Sequence, residues 1–314
     1  MIQYGAKPNL TITQRVGREL RRNKVLYIMA VPVILYFALF HYGPMYGVIL
    51  AFKDYRVGEG IWQSPWVGMK HFINFWNSPY FFRTVRNTLL ISVYSIIFGF
   101  PAPILLALLL NEVKHSTFKR TVQTITYLPH FISTVVICGI IMDFFSRNGV
   151  VTQLLHNIFG MRQRNLLLQP ELFRTIYVST DIWQSVGWGS IVYISALTAI
   201  DAEQYEAAVL DGAGRFNQML HVTLPGILPT IVTMLLLRLG KVMSVGFEKI
   251  ILLYNPNTYE TADVISSYVY RYGLGAAQDY SYSSAVGLFS SVINLIVLVS
   301  ANTISRKVNE TGLF

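Results

Sequence analysis

The sequence predicts an all-α, polytopic membrane protein of six transmembrane helices. Short interfacial helices are expected in its outer loops, and a helical segment on the cytoplasmic side between helices 4 and 5. Three observations carry this expectation. Hydrophobic residues fill 53% of the 314 positions and charged residues only 13%, about half the charged share of a soluble domain, so the chain cannot cover a soluble core with charge. Six stretches approach the roughly 20 apolar residues that cross a hydrocarbon core about 30 Å thick. Lys and Arg crowd three segments that share one side of the membrane if those six stretches cross it in turn.

The first stretch, 25–52, follows Arg15, Arg18, Arg21, Arg22 and Lys24. That leader looks like a signal-peptide n-region, but an uncharged run of this length with no small-x-small cleavage site reads as a retained helix. The second stretch is 87–110. The third, 127–142, is the shortest and is flanked by polar turns. The fourth, 176–200, carries Asp181 near its outer end, and the fifth, 224–245, contains Arg238 and Lys241. The sixth, 280–305, precedes Arg306 and Lys307.

The whole chain, 1–314, reads as one transmembrane domain, with a basic cytoplasmic segment at 1–24 and a cytoplasmic loop at 201–224. Lys114, Lys119 and Arg120 crowd the short second connection, so both termini are expected in the cytoplasm. The outer connections also carry Arg83, Arg86, Arg162 and Arg164, but over longer segments.

Between helices 1 and 2, residues 68–86 pack Phe72, Phe75, Trp76, Phe81 and Phe82 into one stretch, helically spaced up to Pro79. This predicts an interfacial amphipathic helix. A packing lid is the simpler role, with ligand contact the alternative. The formal charge of +9 is explained by basic residues flanking apolar runs, where they anchor helices on an anionic surface, rather than by nucleic-acid binding. The single cysteine, Cys138, excludes a disulfide framework and reads as a small buried hydrophobe.

The most informative segment begins at Asp201 and reads DAEQYEAAVLDGAGRFNQMLHVTLPGILPTI. Residues 203–210 form a short helix-forming stretch, and Asp211-Gly212-Ala213-Gly214 stops it, since Gly takes turns that other residues resist. A second helical stretch starts at Arg215 and is expected to end at Leu224-Pro225, with Pro opening a new helix. The product is a finger on the cytoplasmic side. Ala207 and Ala208 allow close approach by another backbone, and Glu206 and Asp211 offer it charge.

Here the chain resembles a known family. Glu206-Ala207-Ala208, three residues, Gly212, nine residues, then Val222-x-Leu224-Pro225 is similar to the EAA loop of binding-protein-dependent ABC importer permeases, with Val where Ile is commoner. The resemblance extends over most of the chain. Gly68-x-x-x-Phe72 with Asn87-Thr88-Leu89 resembles the sugar permeases. Phe52-Lys53-Asp54-Tyr55, Tyr127-Leu128-Pro129-His130-Phe131-Ile132-Ser133 and Gly246-Phe247-Glu248-Lys249-Ile250 resemble the branch that imports complex oligosaccharides.

The resemblance implies a permease subunit of the bacterial cell membrane, forming half of a translocation pathway. Its implied partners are a second permease, two cytoplasmic ATPase subunits and an extracytoplasmic solute-binding protein that delivers an oligosaccharide. It also implies that Glu206, Ala207, Ala208, Asp211 and Gly212 contact the ATPase, with Leu224 and Pro225 setting the finger against helix 5. ATP and Mg would be bound by the ATPase subunits, and this chain would carry no cofactor, metal or catalytic residue. Consistently, its only Gly-Lys pair, Gly240-Lys241, is followed by Val242 and lies in the predicted fifth helix, which is no phosphate-binding loop.

Arg238 and Lys241 lie three apart, on one face of a helix. A charge at the bilayer centre costs about 2.5–3.5 kcal/mol on insertion scales, so such residues face polar cavities. Glu248, farther on, shares that prospect. Two readings stay open. The basic pair lines a path for an acidic, uronate-bearing sugar, or it forms structural ion pairs or snorkels to an interface. Trp183, Trp188 and Tyr193 are candidates for stacking on sugar, though lipid-facing packing is simpler. The rival functions are an ATP-independent channel or secondary transporter, which leaves the finger without purpose, and an intramembrane enzyme. His41, His130, His156 and His221 are too scattered to support the second.

Overall fold

Prolines set where these helices distort. Pro has no N–H for the carbonyl four residues back, and its ring crowds that carbonyl. Three times the preceding turn widens into a π-helix. Ala38–Tyr42 lies just before Pro44, Ser95–Gly99 just before Pro101, and Met219–Thr223 just before Pro225. At the last, the Leu224 N–H reaches back to the Met219 carbonyl, the five-residue reach of a π turn. The helix runs through each proline instead of stopping there. The finger's second helix is therefore continuous with the predicted fifth span, and the expected break at Leu224-Pro225 is replaced by a bulge.

The computed structural model describes residues 22–275, 277–309, 312 and 313. Arg15, Arg18 and Arg21 of the basic N-terminal segment lie outside the described residues. The chain divides into two compact units at Leu50 and Ala51. In the first, α1 (Lys24–Phe37) continues into the π turn Ala38–Tyr42, and neither buries a side chain.

The second unit contains α2 (Lys70–Trp76), α3 (Phe81–Glu112), α4 (Ser116–Tyr127), α5 (Thr134–Phe144) and α6 (Val150–Phe159). These are followed by α7 (Pro170–Leu197), α8 (Ala202–Leu210), α9 (Arg215–Leu239), α10 (Phe247–Leu253), α11 (Ile265–Gly273) and α12 (Tyr280–Asn309). Among the described residues there is no strand, only an isolated antiparallel bridge between Lys53 and Trp66.

Among the described residues, four helical stretches are long and apolar enough to cross a membrane: Lys24–Phe52, Phe81–Glu112, Arg215–Leu239 and Tyr280–Lys307. The predicted third stretch is not one helix. Leu128–Phe131, with Pro129, tightens into a 3-10 turn, and Ser133 starts α5 by accepting the Val136 N–H at 3.4 Å. The two limbs, Ser116–Phe131 and Thr134–Phe144, meet at 103° and make a fifth span if they are counted as one. The predicted fourth stretch is α7, whose 28 residues reach about 42 Å. Its length suffices to cross, but polar residues spread along it, among them Asp181, Gln184 and Ser185, make it less apolar than the four.

Helix α7 organises this unit, packing along α3, α4, α9 and the turn Tyr259–Ala262. Gly187 allows the closest approach, because a Cβ there would lie 2.1 Å from the Thr126 carbonyl oxygen of α4. The lid reading of 68–86 fits the packing. Phe75 of α2 is buried against Phe81, Tyr268, Tyr282 and Phe289. Cys138 is fully buried in the apolar core beside α7.

Candidate functional site

The finger is built by local rules. Asp201 accepts the Glu203 N–H at 3.1 Å and starts α8. At the other end, the Gly212 N–H donates to Val209 O at 3.0 Å and the Ala213 N–H to Ala208 O at 2.9 Å. With Gly212 at φ +76°, this is a Schellman stop, which needs a left-handed residue at that position. Gln218 then donates to Ala213 O at 2.7 Å, and Tyr205 bonds Thr223 through their hydroxyls at 3.0 Å, tying α8 back to the base of α9.

Glu206, Ala207 and Asp211 are exposed, as are the large apolar residues Val209, Leu210 and Phe216, with Leu210 at 87%. Leu224 is half-buried and Pro225 exposed. The finger therefore presents an apolar tip flanked by two carboxylates.

The second region lies where α9 ends. Gly240 closes the helix, so Lys241 falls in the following turn rather than on the helical face expected for it. Non-helical backbone inside a bundle needs partners. Ser92 of α3 donates to Val242 O, while Asn294 of α12 accepts the Met243 N–H at 2.8 Å and donates to Ser244 Oγ at 3.0 Å.

This turn opens a cavity of about 230 Å³ lined by Ser92, Ser95, Tyr177, Asp181, Arg238 and Lys241 among others. Arg238 occupies the last turn of α9, where the helix dipole favours a cation. Its Nη2 donates to Ser95 Oγ at 2.5 Å and Ser95 O at 3.4 Å, in the π turn of α3. Among the described residues no carboxylate pairs with Arg238 or Lys241.

Glu248 is not in that cavity. The chain turns at Gly246 into α10, and Glu248 lines a neighbouring cavity of about 390 Å³ with Gln184 and Lys249. Tyr177, Asp181 and Gly246 border both spaces. Lys249, which in the sequence marks only the resemblance at 246–250 and not a path residue, is 5% exposed and pairs with Asp181 at 3.9 Å. A Lys inside an apolar helix was the available signal, since such a charge demands a partner. Of the aromatic candidates, Trp188 stacks on His130 at 4.7 Å and Tyr193 is buried in the core, while Trp183 is 44% exposed.

The expected outer-loop residue Arg83 belongs to a polar knot the sequence did not reveal. Arg83 and Arg271 both donate to Asp263 Oδ2, at 2.8 and 2.7 Å, and Asp263 is fully buried. Ser267 takes the other oxygen at 2.8 Å. Asn87 donates to the carbonyls of Glu260 and Asp263 and accepts from Arg174 at 2.8 Å. Burial is the largest single influence on Arg271 and opposes its charge, but hydrogen bonding and charge attraction with Asp263 and Tyr254 together outweigh it and raise its pKa above the ordinary arginine value.

Comparison with known proteins places this geometry in context. Residues 99–310 match the family model described as "Binding-protein-dependent transport system inner membrane component". Protein LplB of Bacillus subtilis (strain 168) is 45% identical over 94% of this chain and 92% of its own length. The polygalacturonan/rhamnogalacturonan transport system permease protein YteP of the same organism is 43% identical over 96% of this chain and 94% of its own. A chain in the crystal structure of a bacterial alginate ABC transporter, in complex with alginate pentasaccharide-bound periplasmic protein, superposes with a TM-score of 0.86. It is 45% identical, covering 95% of this chain and 100% of that one.

Proposed function

The chain belongs to the family of binding-protein-dependent transport system inner membrane components, and from that premise we propose that it forms half of the import path for an acidic, uronate-bearing oligosaccharide. It is a multi-pass membrane permease of an ABC sugar importer, a transport component and not an enzyme, and it works with a binding protein. In the proposed arrangement the chain crosses six times, with α4 and α5 together as the third span and α7 as the fourth. Both termini and the finger lie in the cytoplasm, and the whole chain is one permease domain. ATP and Mg belong to the ATPase subunits beneath it.

The finger's role follows from its surface. Glu206, Ala207, Ala208, Asp211 and Gly212 seat α8 against an ATPase subunit, and an exposed apolar tip such as Leu210 needs a partner to leave water. Because α8 is tied through Tyr205 to Thr223 at 3.0 Å, and Thr223 lies in the π turn within α9, motion of the ATPase pair pulls directly on a helix that ends at the cavity. Closure of the ATPases thus moves Arg238 and Lys241.

One observation carries the substrate class: two cations, Arg238 and Lys241, face one cavity among apolar helices without a carboxylate partner of their own among the described residues. Glu248 lines the continuation of the path. The neighbouring proteins support the same class, since one is named for polygalacturonan/rhamnogalacturonan transport and another imports the acidic polysaccharide alginate. For Arg238 a second reading has its own support, because its bonds to Ser95 hold α9 against α3.

The test is ATP hydrolysis by the full complex in lipid, with binding protein, comparing uronate-containing oligosaccharides with their carboxyl-reduced forms. The expected result is stimulation by the acidic sugars that is lost in Lys241→Ala and reduced in Arg238→Ala. Equal stimulation by both sugars would leave the importer standing and remove the acidic class.

A further inference from the structure

Lys249 is a buried charge with few partners. An ammonium carries three N–H donors, yet the buried Nζ makes one long hydrogen bond, 3.4 Å to Tyr177 O, and lies 5.1 Å from the Tyr177 ring. Its pairing with Asp181 Oδ1 at 3.9 Å is beyond hydrogen-bond distance. The carboxylate is held as loosely, since its oxygens accept no hydrogen bond among the described residues, the Ser185 hydroxyl bonding only the Asp181 backbone oxygen. The Asp181 side chain is 34% exposed against 6% for that of Lys249. A buried charge normally draws short, saturating hydrogen bonds, so this pair is a poor structural bridge.

Its position suggests a different task. Asp181 stands on the wall shared by two cavities, of about 230 and 390 Å³, with Arg238 and Lys241 on one side and Glu248 and Lys249 on the other. The cations facing this space are Arg238, Lys241 and Lys249, and the anions are Asp181 and Glu248. Asp181 is one of three residues, with Tyr177 and Gly246, that border both cavities, and the one among them that carries a charge.

We propose that Lys249 and Asp181 form an exchangeable ion pair in which Asp181 neutralises the buried ammonium while the path is empty and a carboxylate of the passing sugar takes its place. The inference rests on the reading of these cavities as the path of an acidic sugar. Exchange is cheap because the internal pair surrenders no short hydrogen bond, whereas the substrate can supply the acceptor that two of the ammonium's donors lack. The swap keeps the ammonium neutralised at every stage and makes Lys249 a selectivity residue that no neutral sugar can satisfy.

The experiment uses the complete complex in nanodiscs with its binding protein. It measures the ratio of the ATPase rate with acidic oligosaccharide to the rate with substrate-free binding protein. Lys249→Gln should reduce that ratio about tenfold, the loss of one charge-assisted hydrogen bond. Asp181→Asn should raise the ratio, since it removes the substrate's internal competitor. A structural bridge predicts the opposite for Asp181→Asn, a fall along with Lys249→Gln, and that result overturns the proposal. If Lys249→Gln does not assemble, Asp181→Asn alone decides by the same criterion. Failure of the wild type to distinguish acidic from carboxyl-reduced sugar overturns the underlying path reading, whereas a discriminating wild type with unchanged variants overturns the exchange alone.

Discussion

Replacing Gly212 isolates the geometry of the finger from its chemistry. Gly212 sits at φ +76°, and a Cβ added there meets nothing within 4 Å, so a substitution changes the backbone cost and no packing. For an ordinary L-residue the left-handed conformation costs about 1–2 kcal/mol, less for Asn and more for a β-branched residue. That shifts the population of the formed tip by a factor of about 5–30, against the two hydrogen bonds from Gly212 and Ala213 at 3.0 and 2.9 Å. A series of Gly212→Asn, Gly212→Ala and Gly212→Val should therefore reduce sugar uptake in that order. Membrane levels should stay constant, because the tip is exposed and remote from the buried core. The assay is uptake of labelled oligosaccharide in cells or proteoliposomes, normalised to permease by immunoblot, with recovery of ATPase subunits on permease affinity resin. Wild-type uptake in Gly212→Val at equal membrane level would refute the claim that the left-handed turn positions the coupling contact.

Three further outcomes are expected. Glu206→Lys reverses an exposed charge on α8 and should leave insertion intact while abolishing ATP-coupled uptake, read by the same pair of assays. Asp263→Ala strips the shared carboxylate from Arg83 and Arg271, which are only 28% and 26% exposed; leaving such charges unpaired costs about 3 kcal/mol or more, visible as a lower Tm of the purified complex. Gly187→Ala drives a Cβ to 2.1 Å from the Thr126 carbonyl and should collapse the yield of folded protein, whereas Gly139→Ala, with nothing within 4 Å, should express normally.

The order and type of the elements were legible in the sequence wherever the cause was local. Apolar length marks Lys24–Phe52, Phe81–Glu112 and Tyr280–Lys307 as spans, because the bilayer asks only for length and apolarity. The finger's first helix and its stop were legible, since Gly212 as a turn residue acts on backbone groups within a few positions, whereas the cap at Asp201 emerged only in the structure. Arg238 and Lys241 were visible as charges too expensive to face lipid, and the structure does bring them to one cavity.

Other features depended on partners far along the chain. Pro225 could have ended a helix or bulged it. The break after Leu239 instead of at 245 depends on Ser92 and Asn294 being present to receive the freed backbone. Lys249 is a functional candidate only because α7 brings Asp181 within 3.9 Å. Asp263 holds Arg83 from 180 positions away. Hydrophobic periodicity and caps report free energies that a segment carries by itself. The pairing of buried polar groups is a property of the space between segments, and only the tertiary packing of α3, α7, α9 and α12 decides which donor meets which acceptor.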